Sequence, residues 1–541
     1  MTSRSVWLTV SLASVLAACA AGDQLTSDPD AETATTLDLA RRDRGLHKVK
    51  HVIVLMQENH SFDNYFGALA FAPGSPYHGP RRHRDDGDGD ADGRGGCRAN
   101  DHRCVDGLSC QVDAAGNFDC TNANLDDDGS TAFAFHDSNR CVTPDLDHEW
   151  VGTHREVNFD HPNDTRRHAP MNGFVRVNDE NEQPDGGVET PTDDDTMGFY
   201  NQDEIPFYYE LASKFAISDR FFSSLLGPTF PNRSYLLAAT SFGHLTTSDE
   251  IPPDGGYKPI TGTIFDLLER NDVSWADYFQ DAPQGASFRP FLGPVIDPHF
   301  LPLPVFLAQA AGATEVGPLP AVSFVDPSFG LFGISTENDE HPPTDIQRGQ
   351  AFVSQVVNAV RNGPFWDDTV IFITWDEHGG FYDHVAPPRA HQPDGIAPGQ
   401  CADLSNPPAS LQPGGGAECN ANVFGDPRTS VFDAIQLCHA LAADPTGPYP
   451  RECANFDQLG VRVPFIAISP FAKRNHVSHT VADHTSILAF IEAAFAPGEH
   501  LTQRDRHAND LLDLFDFAGS PSRDVAIGTA APPTNDCTPV R

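Results

Sequence analysis

Basic residues are scarce in this chain. Lys and Arg together number 35 against 76 Asp and Glu, a formal charge of −41. A surface that acidic repels phosphate backbones, which argues against nucleic acid as a partner and leaves small polar or cationic ligands open. Long apolar runs are also rare. The longest, residues 6–18, is too short to persist as a membrane-spanning helix, and no other stretch reads as a span. No segment repeats another. What the chain has in quantity is apolar mass. Hydrophobic residues make up 39% of 541, with 37 Phe, which suffices for a large core in one large domain or two to three ordinary ones.

The early apolar run follows Arg4 and ends in Leu16-Ala17-Ala18-Cys19. Small residues before a cysteine resemble a bacterial lipoprotein signal with Cys19 as the lipidated residue; an ordinary secretory signal is the alternative. Either implies export, with contact to the cell envelope through the anchor if Cys19 is lipidated. Residues 20–45 are polar and acidic, as a tether would be. The remaining cysteines form two groups: Cys97, Cys104, Cys110, Cys120 and Cys141, then Cys401, Cys419, Cys438, Cys453 and Cys537. An even total in an oxidising compartment implies disulfides, and two odd groups require at least one bridge between them if all pair.

Two stretches, about 81–141 and 388–451, are rich in cysteine with Asp, Gly or Pro and read as disulfide-stapled insertions. In the first, Asp86, Asp88, Asp90 and Asp92 alternate with small residues, as Ca²⁺ loops do, but no Glu closes the loop as an EF-hand requires. A solvated acidic loop is the other reading. The intervening segments read as one folded domain over 46–517, followed by an irregular tail, 518–541. Apolar runs at 52–56, 275–279, 321–325, 370–375 and 463–469 have strand length. Segments 207–215, 232–240, 264–269, 345–361 and 484–495 read as helices, most clearly the stripe Phe352, Val353, Val356, Val357 and Val360. Wholly apolar strands separated by helices predict an α/β fold with a mostly parallel sheet covered on both faces.

In such a sheet ligands bind beyond the carboxyl ends of the strands. The run 52–56 leads into Glu58-Asn59, 321–325 into Asp326, and 370–375 into Asp376-Glu377. Carboxylates gathered at one edge repel each other unless a cation lies among them, and a divalent metal ion of undetermined identity answers that. In "GPTFPNR", Pro231 suits a first helical turn, which puts Thr229 just before a helix N-terminus, where anions are favoured. A hydroxyl there, its pKa lowered by a metal, could attack phosphorus, with Arg233 holding a phosphoryl oxygen or pairing with an acid. His148, His341 and His484 stand in comparable acidic contexts.

The segments "QENHSFDNYFG", "GPTFPNRSYLLAATSFG", "ENDEHPPTDIQRGQAFV", "ITWDEHGGFYDHVAPP" and "HTVADHTSILAFIE" resemble, in order, the bacterial phosphoesterase family of phospholipases C and related acid phosphatases. The resemblance implies an alkaline-phosphatase-like three-layer α/β/α sandwich. It implies metal binding by Glu58, Asn59, Asp376 and Glu377, and a nucleophile at Thr229. It further implies phosphoryl contact or acid–base work by His148 and His341, with His484 a weaker transfer. His60 stands where relatives often carry Arg, and it is left out of the metal set. Trp150, Tyr208 and Tyr209 could cage a quaternary ammonium or simply pack in the core.

The expected activity is a metal-dependent phospholipase C that hydrolyses phosphatidylcholine-like lipids through Thr229 and releases diacylglycerol. Two other readings fit: an acid phosphatase using the same residues, and a non-catalytic surface lipoprotein that binds Ca²⁺ through its Asp-rich insertion.

Overall fold

The computed structural model describes residues 45–80, 96–126, 128–142, 145–165, 168–181, 193–247, 252, 255–291, 294–331, 336–404, 429–444 and 447–533. Cys19, Cys419, Cys537 and the Asp86, Asp88, Asp90 and Asp92 stretch lie outside the described residues. No helix among those described is long and apolar enough to cross a membrane.

An eight-stranded sheet is built from β1 (His51–Gln57), β2 (Ala216–Ser218), β3 (Trp275–Phe279), β4 (Phe300–Pro302), β5 (Val322–Val325), β6 (Thr369–Trp375), β7 (Phe465–Ile468) and β8 (His476–Ser478). Across the sheet they stand in the order β4-β3-β5-β1-β6-β7-β2-β8. Every pairing is parallel except the two made by β7. Strands β5, β6 and β7 are wholly buried, as is β1 beyond its first residue, and they are rich in β-branched and aromatic residues, as strands buried on both faces require.

Helices cover both faces. Phe324 and Phe372 both pair in register with Val54 and so point the same way. They meet Phe265 of the helix Ile264–Arg270 and Phe490 of the helix His484–Phe495. Tyr278 and Trp375 point the opposite way, onto Phe306 of Leu303–Ala310 and Tyr208 of Pro206–Lys214. The result is the expected α/β/α sandwich around one large apolar core.

Four helices matter below: α1 (Trp150–Val157), α2 (Thr229–Ala238), α3 (Ile346–Asn362) and α4 (His484–Phe495). Helix α2 begins three residues earlier than expected, so Thr229 is inside its first turn rather than ahead of it. The reason is Pro231. A proline within the first turn lacks only an N–H that the helix does not use there, so the helix extends past it to Thr229. Trp150, Tyr208 and Tyr209 are all buried, which makes them core residues rather than an open cage.

The insertions are stapled as expected. Cys97–Cys104, Cys110–Cys120 and Cys438–Cys453 are disulfides, and Cys141 and Cys401 are also bonded. The other four cysteines of its group are already paired, so the Cys141 bridge must leave that group. The first insertion adds two small hairpins, Cys110–Val112 with Phe118–Cys120 and Ala123–Leu125 with Thr131–Phe133.

A buried ionic staple fixes the segments that leave the sheet. The Arg462 guanidinium is fully buried and bonds Asp383 at 2.9 Å and Asp63 at 3.1 Å. His384 Nδ1 bonds Asp63 at 2.6 Å. The staple thus joins the chain after β6, the short helix after β1 and the approach to β7. Burial alone would lower the His384 pKa, but the Asp63 and Asp106 carboxylates outweigh it and raise it from 6.5 to about 10. A raised folded-state pKa stabilises fully below the unfolded value, and the stabilisation is lost as pH rises through the folded one. Thermal unfolding of the wild type should therefore show a stability decline from about pH 7 to pH 10 that His384→Asn lacks. A decline of equal slope in both proteins would show that this histidine contributes nothing to it.

Candidate active site

Strands β5, β1 and β6 are parallel neighbours, so their carboxyl ends open on one edge. Glu58 and Asn59 follow β1, and Asp376 and Glu377 follow β6. Backbone bonds bind these ends together. The Asp376 N–H donates to the Gln57 carbonyl at 3.1 Å, the His60 N–H to the Glu377 carbonyl at 3.1 Å, and the Glu58 N–H to the Asp339 carbonyl at 2.7 Å. Asn59 adopts a left-handed conformation with φ 63°, which asparagine tolerates better than most residues. Gly379 allows the close approach. A Cβ there would lie 2.3 Å from the Asn59 carbonyl oxygen, and its own φ of +63° also favours glycine.

A cavity of about 600 Å³ opens over this edge and is lined by Glu58, His148, Thr229, Arg233 and His341, together with Asp145, Glu149, Glu337 and Asp339. Asn59, Asp376 and Glu377 do not line it; they are fully buried behind that wall. Arg233 connects the two layers. Its Nη2 lies 3.0 Å from Glu58 Oε1 and its Nε 3.0 Å from Asp376 Oδ2, while the Phe329 ring covers the guanidinium at 4.9 Å. Of the two roles open to Arg233, pairing with acids is thus the one seen. Its Nη1 remains without a partner among the described residues.

Negative charge exceeds positive charge here. Burial, with Glu58 and Glu377 alongside, pushes the Asp376 pKa up to about 8 despite Arg233. Burial raises Asp326 to about 6 and, with Glu58 and Glu337 nearby, lifts Asp339 well above the usual range. Burial would raise Glu377 too, but the His148 and His378 imidazoles pull it down. Two acceptors, Asn59 Oδ1 and Glu377 Oε1, are buried with no donor among the described residues. Orphaned oxygens within an uncompensated group of carboxylates suit a hard divalent cation, so Glu58, Asn59, Asp376 and Glu377 fit that role.

His148 and His341 stand together, ring centroids 6.1 Å apart. Each donates Nδ1–H to a backbone carbonyl, His148 to Leu146 at 2.8 Å and His341 to Pro342 at 2.6 Å. That fixes both rings and leaves His148 Nε2 for the cavity, while His341 Nε2 faces Asp145. Asp145 lies 3.5 Å from His341 Nε2 and 3.9 Å from His148 Nδ1. Burial alone would lower both pKa values. Glu377, Asp145 and Glu149 outweigh it at His148, and Asp145 and Glu58 do so at His341, so both are raised and favour the proton-bearing form.

His484, the weaker transfer from the resemblance, does not line the cavity and is fully buried. As the first residue of α4 its Nε2–H donates to the Asp376 carbonyl at 2.7 Å, and burial lowers its pKa to about 4, so it supports Asp376 as a neutral ring. His60 is likewise structural, stacked between Tyr65 and Phe381 and pushed down to about 3 by burial. Three residues went unassigned in the sequence. Asp145 precedes His148 by three positions in "DLDHEW", and Asp339 and Glu340 flank one another in "ENDEHPP". The Glu340 carboxylate is fully buried and accepts bonds from Tyr65 at 2.8 Å, Tyr208 at 2.5 Å and Trp375 at 2.9 Å, which anchors the turn carrying Asp339 and His341.

The model of the Phosphoesterase family matches residues 49–496. Non-specific phospholipase C6 of Arabidopsis thaliana is 32% identical over 340 residues, which is 61% of this chain and 54% of that protein. Non-specific phospholipase C1 of the same plant is 29% identical over 67% of this chain and 58% of its own length. The chain thus spans little more than half the length of these plant relatives. Phospholipase C B of Mycobacterium tuberculosis (strain CDC 1551 / Oshkosh) is 28% identical over 88% of this chain and 79% of its own.

If Gly379 is what lets the loops after β1 and β6 meet and those loops hold a divalent ion, Gly379→Ala should weaken divalent-cation binding by roughly ten- to a hundredfold, the effect of disturbing the support of a metal site. Calorimetric titration of the purified protein reads this, and an unchanged affinity would mean that the loops tolerate separation.

Proposed function

The chain belongs to the Phosphoesterase family, and on that footing we propose that it is a phospholipase C. It would cleave phosphatidylcholine-like lipids to diacylglycerol and a phosphorylated head group. The observation that carries this reading is a single cavity in which Thr229, Arg233 and two histidines that favour the protonated form stand over buried, under-compensated carboxylates. The phospholipase C names of the plant and mycobacterial relatives support the diester as substrate.

Glu58, Asn59, Asp376 and Glu377 would hold the divalent ion, which would supply positive charge to offset the negative charge developing on the phosphoryl oxygens and the attacking oxygen. Thr229 Oγ1 forms the bond to phosphorus, its proton passing to a carboxylate of the cavity wall. Arg233 Nη1 donates to a phosphoryl oxygen, and the guanidinium cannot lose its charge there. The glyceryl O–P bond breaks and the Nε2–H of His341 or His148 protonates the departing oxygen. The imidazole, now neutral, takes a proton from water as it attacks phosphorus, and the phosphorylated head group leaves Thr229, whose Oγ1 recovers its proton from the same wall carboxylate. Fixed charges and positioning account for most of the rate enhancement. The disulfides favour an oxidising compartment, so the proposal extends to an exported protein, with lipidation at Cys19.

Thr229→Ala should lower turnover of phosphatidylcholine by roughly a thousandfold or more while divalent-cation binding persists, and Thr229→Ser should retain activity. Parallel assays on phosphatidylcholine and an aryl phosphate monoester decide the substrate class. Faster monoester cleavage would make the protein a phosphatase instead. Full activity of Thr229→Ala would remove Thr229 as the nucleophile.

The general acid must hold its proton, so activity should fall as pH rises through the raised histidine pKa. Asp145 helps to raise it. Asp145→Asn should accordingly move the alkaline limb of the pH–rate profile to lower pH. A limb that stays in place would assign the proton to another group.

A further inference from the structure

The cavity is larger than a phosphate needs, and much of its wall carries no polar group. At about 600 Å³ it has the size of a site for a drug-sized ligand. Besides the residues assigned above it is lined by Phe230, Leu237, Phe288, Phe291, Phe329 and Leu331. Three of these belong to loops that meet at the carboxyl end of β3. Phe291 packs against Phe279, the last residue of that strand, with ring centroids 5.3 Å apart. The N–H groups of Phe329 and Leu331 both donate to the Asp281 carboxylate at 3.1 Å, two residues beyond the strand.

These loops carry apolar side chains out of the cavity into solvent. Leu331 lines the cavity and is nonetheless 64% exposed, so it stands at the mouth. Val295 is 66% and Ile296 55% exposed. The Asp297 N–H donates to the Pro290 carbonyl at 2.8 Å, which returns the chain after Ile296 to a point beside Phe291. The loop that carries Val295 and Ile296 thus starts beside Phe291 of the apolar wall, and Leu331 belongs to both the wall and the lip of the mouth.

We propose that this lip docks on a zwitterionic phospholipid bilayer and that the apolar wall receives the acyl–glyceryl part of one lipid drawn from it. The proposal rests on the phospholipase reading above and names the part of the substrate opposite the head group. Exposed apolar side chains at the mouth of a site mark an interaction surface, and side chains of this kind insert at the boundary between head groups and acyl chains. The charge selects the membrane. A protein with a formal charge of −41 is repelled by an anionic leaflet, and only the apolar term is left to bind a zwitterionic one. The geometry also puts the two products on different sides of the reaction, with diacylglycerol leaving along the apolar wall toward the bilayer.

The test is the double variant Val295→Asp/Ile296→Asp, which changes two exposed residues outside the catalytic and cavity-lining sets. Three readouts are compared with the wild-type lip, both proteins carrying Cys19→Ala so that no acyl anchor holds them to lipid: cosedimentation with phosphatidylcholine vesicles, turnover of those vesicles, and turnover of soluble p-nitrophenyl phosphorylcholine. Vesicle binding and vesicle turnover should fall about tenfold or more, with soluble-ester turnover within twofold of wild type, because burying two such side chains is worth that much. Wild-type cosedimentation should also weaken when anionic lipid is mixed into the vesicles. Vesicle binding unchanged in the double variant would overturn the docking surface whether or not any ester is cleaved. A wild type that binds vesicles through this lip yet cleaves neither substrate would instead overturn the phospholipase reading and leave the docking surface standing.

Discussion

The structure at the strand ends is governed by a shortage of positive charge. Arg233 alone is paired with both Glu58 and Asp376, while Asp326, Asp339 and Glu377 are buried nearby. Removing a carboxylate from water without a full counter-charge is expensive, and the raised pKa values of Asp376, Asp326 and Asp339 express that strain as a tendency to hold a proton. A cation in the proposed set would remove the need for those protons. The arrangement is held despite its electrostatics by backbone bonds among three loops, by Gly379 against Asn59, and by the Arg462 staple behind them.

The same charge excess accounts for the histidines. Solvent-excluded imidazoles ordinarily lose their protons, as His60 and His484 do here. His148 and His341 behave oppositely because the carboxylates around the cavity outweigh burial. The same excess of negative charge would suit a metal ion on its buried side, while Asp145 and Glu149, outside the proposed metal set, favour the protonated histidines on its open side. The apolar wall limits how far that polar region extends.

Much of the fold was legible because its signals are local. The strands at 52–56, 321–325 and 370–375 are unbroken apolar runs that end abruptly in acids or amides, and the parallel-sheet rule alone carries those ends to one edge. The start of α2 was displaced by three residues because the helical pattern is readable only from Asn232 onward, although the first turn that holds Pro231 begins at Thr229. Side-chain destinations were harder. Arg233 could be recognised as a phosphate ligand or an ion-pair partner, and only the approach of β1 and β6 decides that it pairs with both acids. His484 looks catalytic beside Asp483, but the direction of α4 turns its ring onto a carbonyl. Glu340 and Asp145 act through contacts made by distant segments, and no periodicity announces those.

The central claim is that Thr229 carries the phosphoryl group during turnover. Rapid quenching of the wild-type enzyme with phosphatidylcholine, followed by mass spectrometry of its peptides, tests this directly. The account predicts a phosphocholine adduct on the peptide containing Thr229, formed and lost at rates compatible with turnover. Steady hydrolysis with no adduct at Thr229, or with the adduct on another residue, would contradict it.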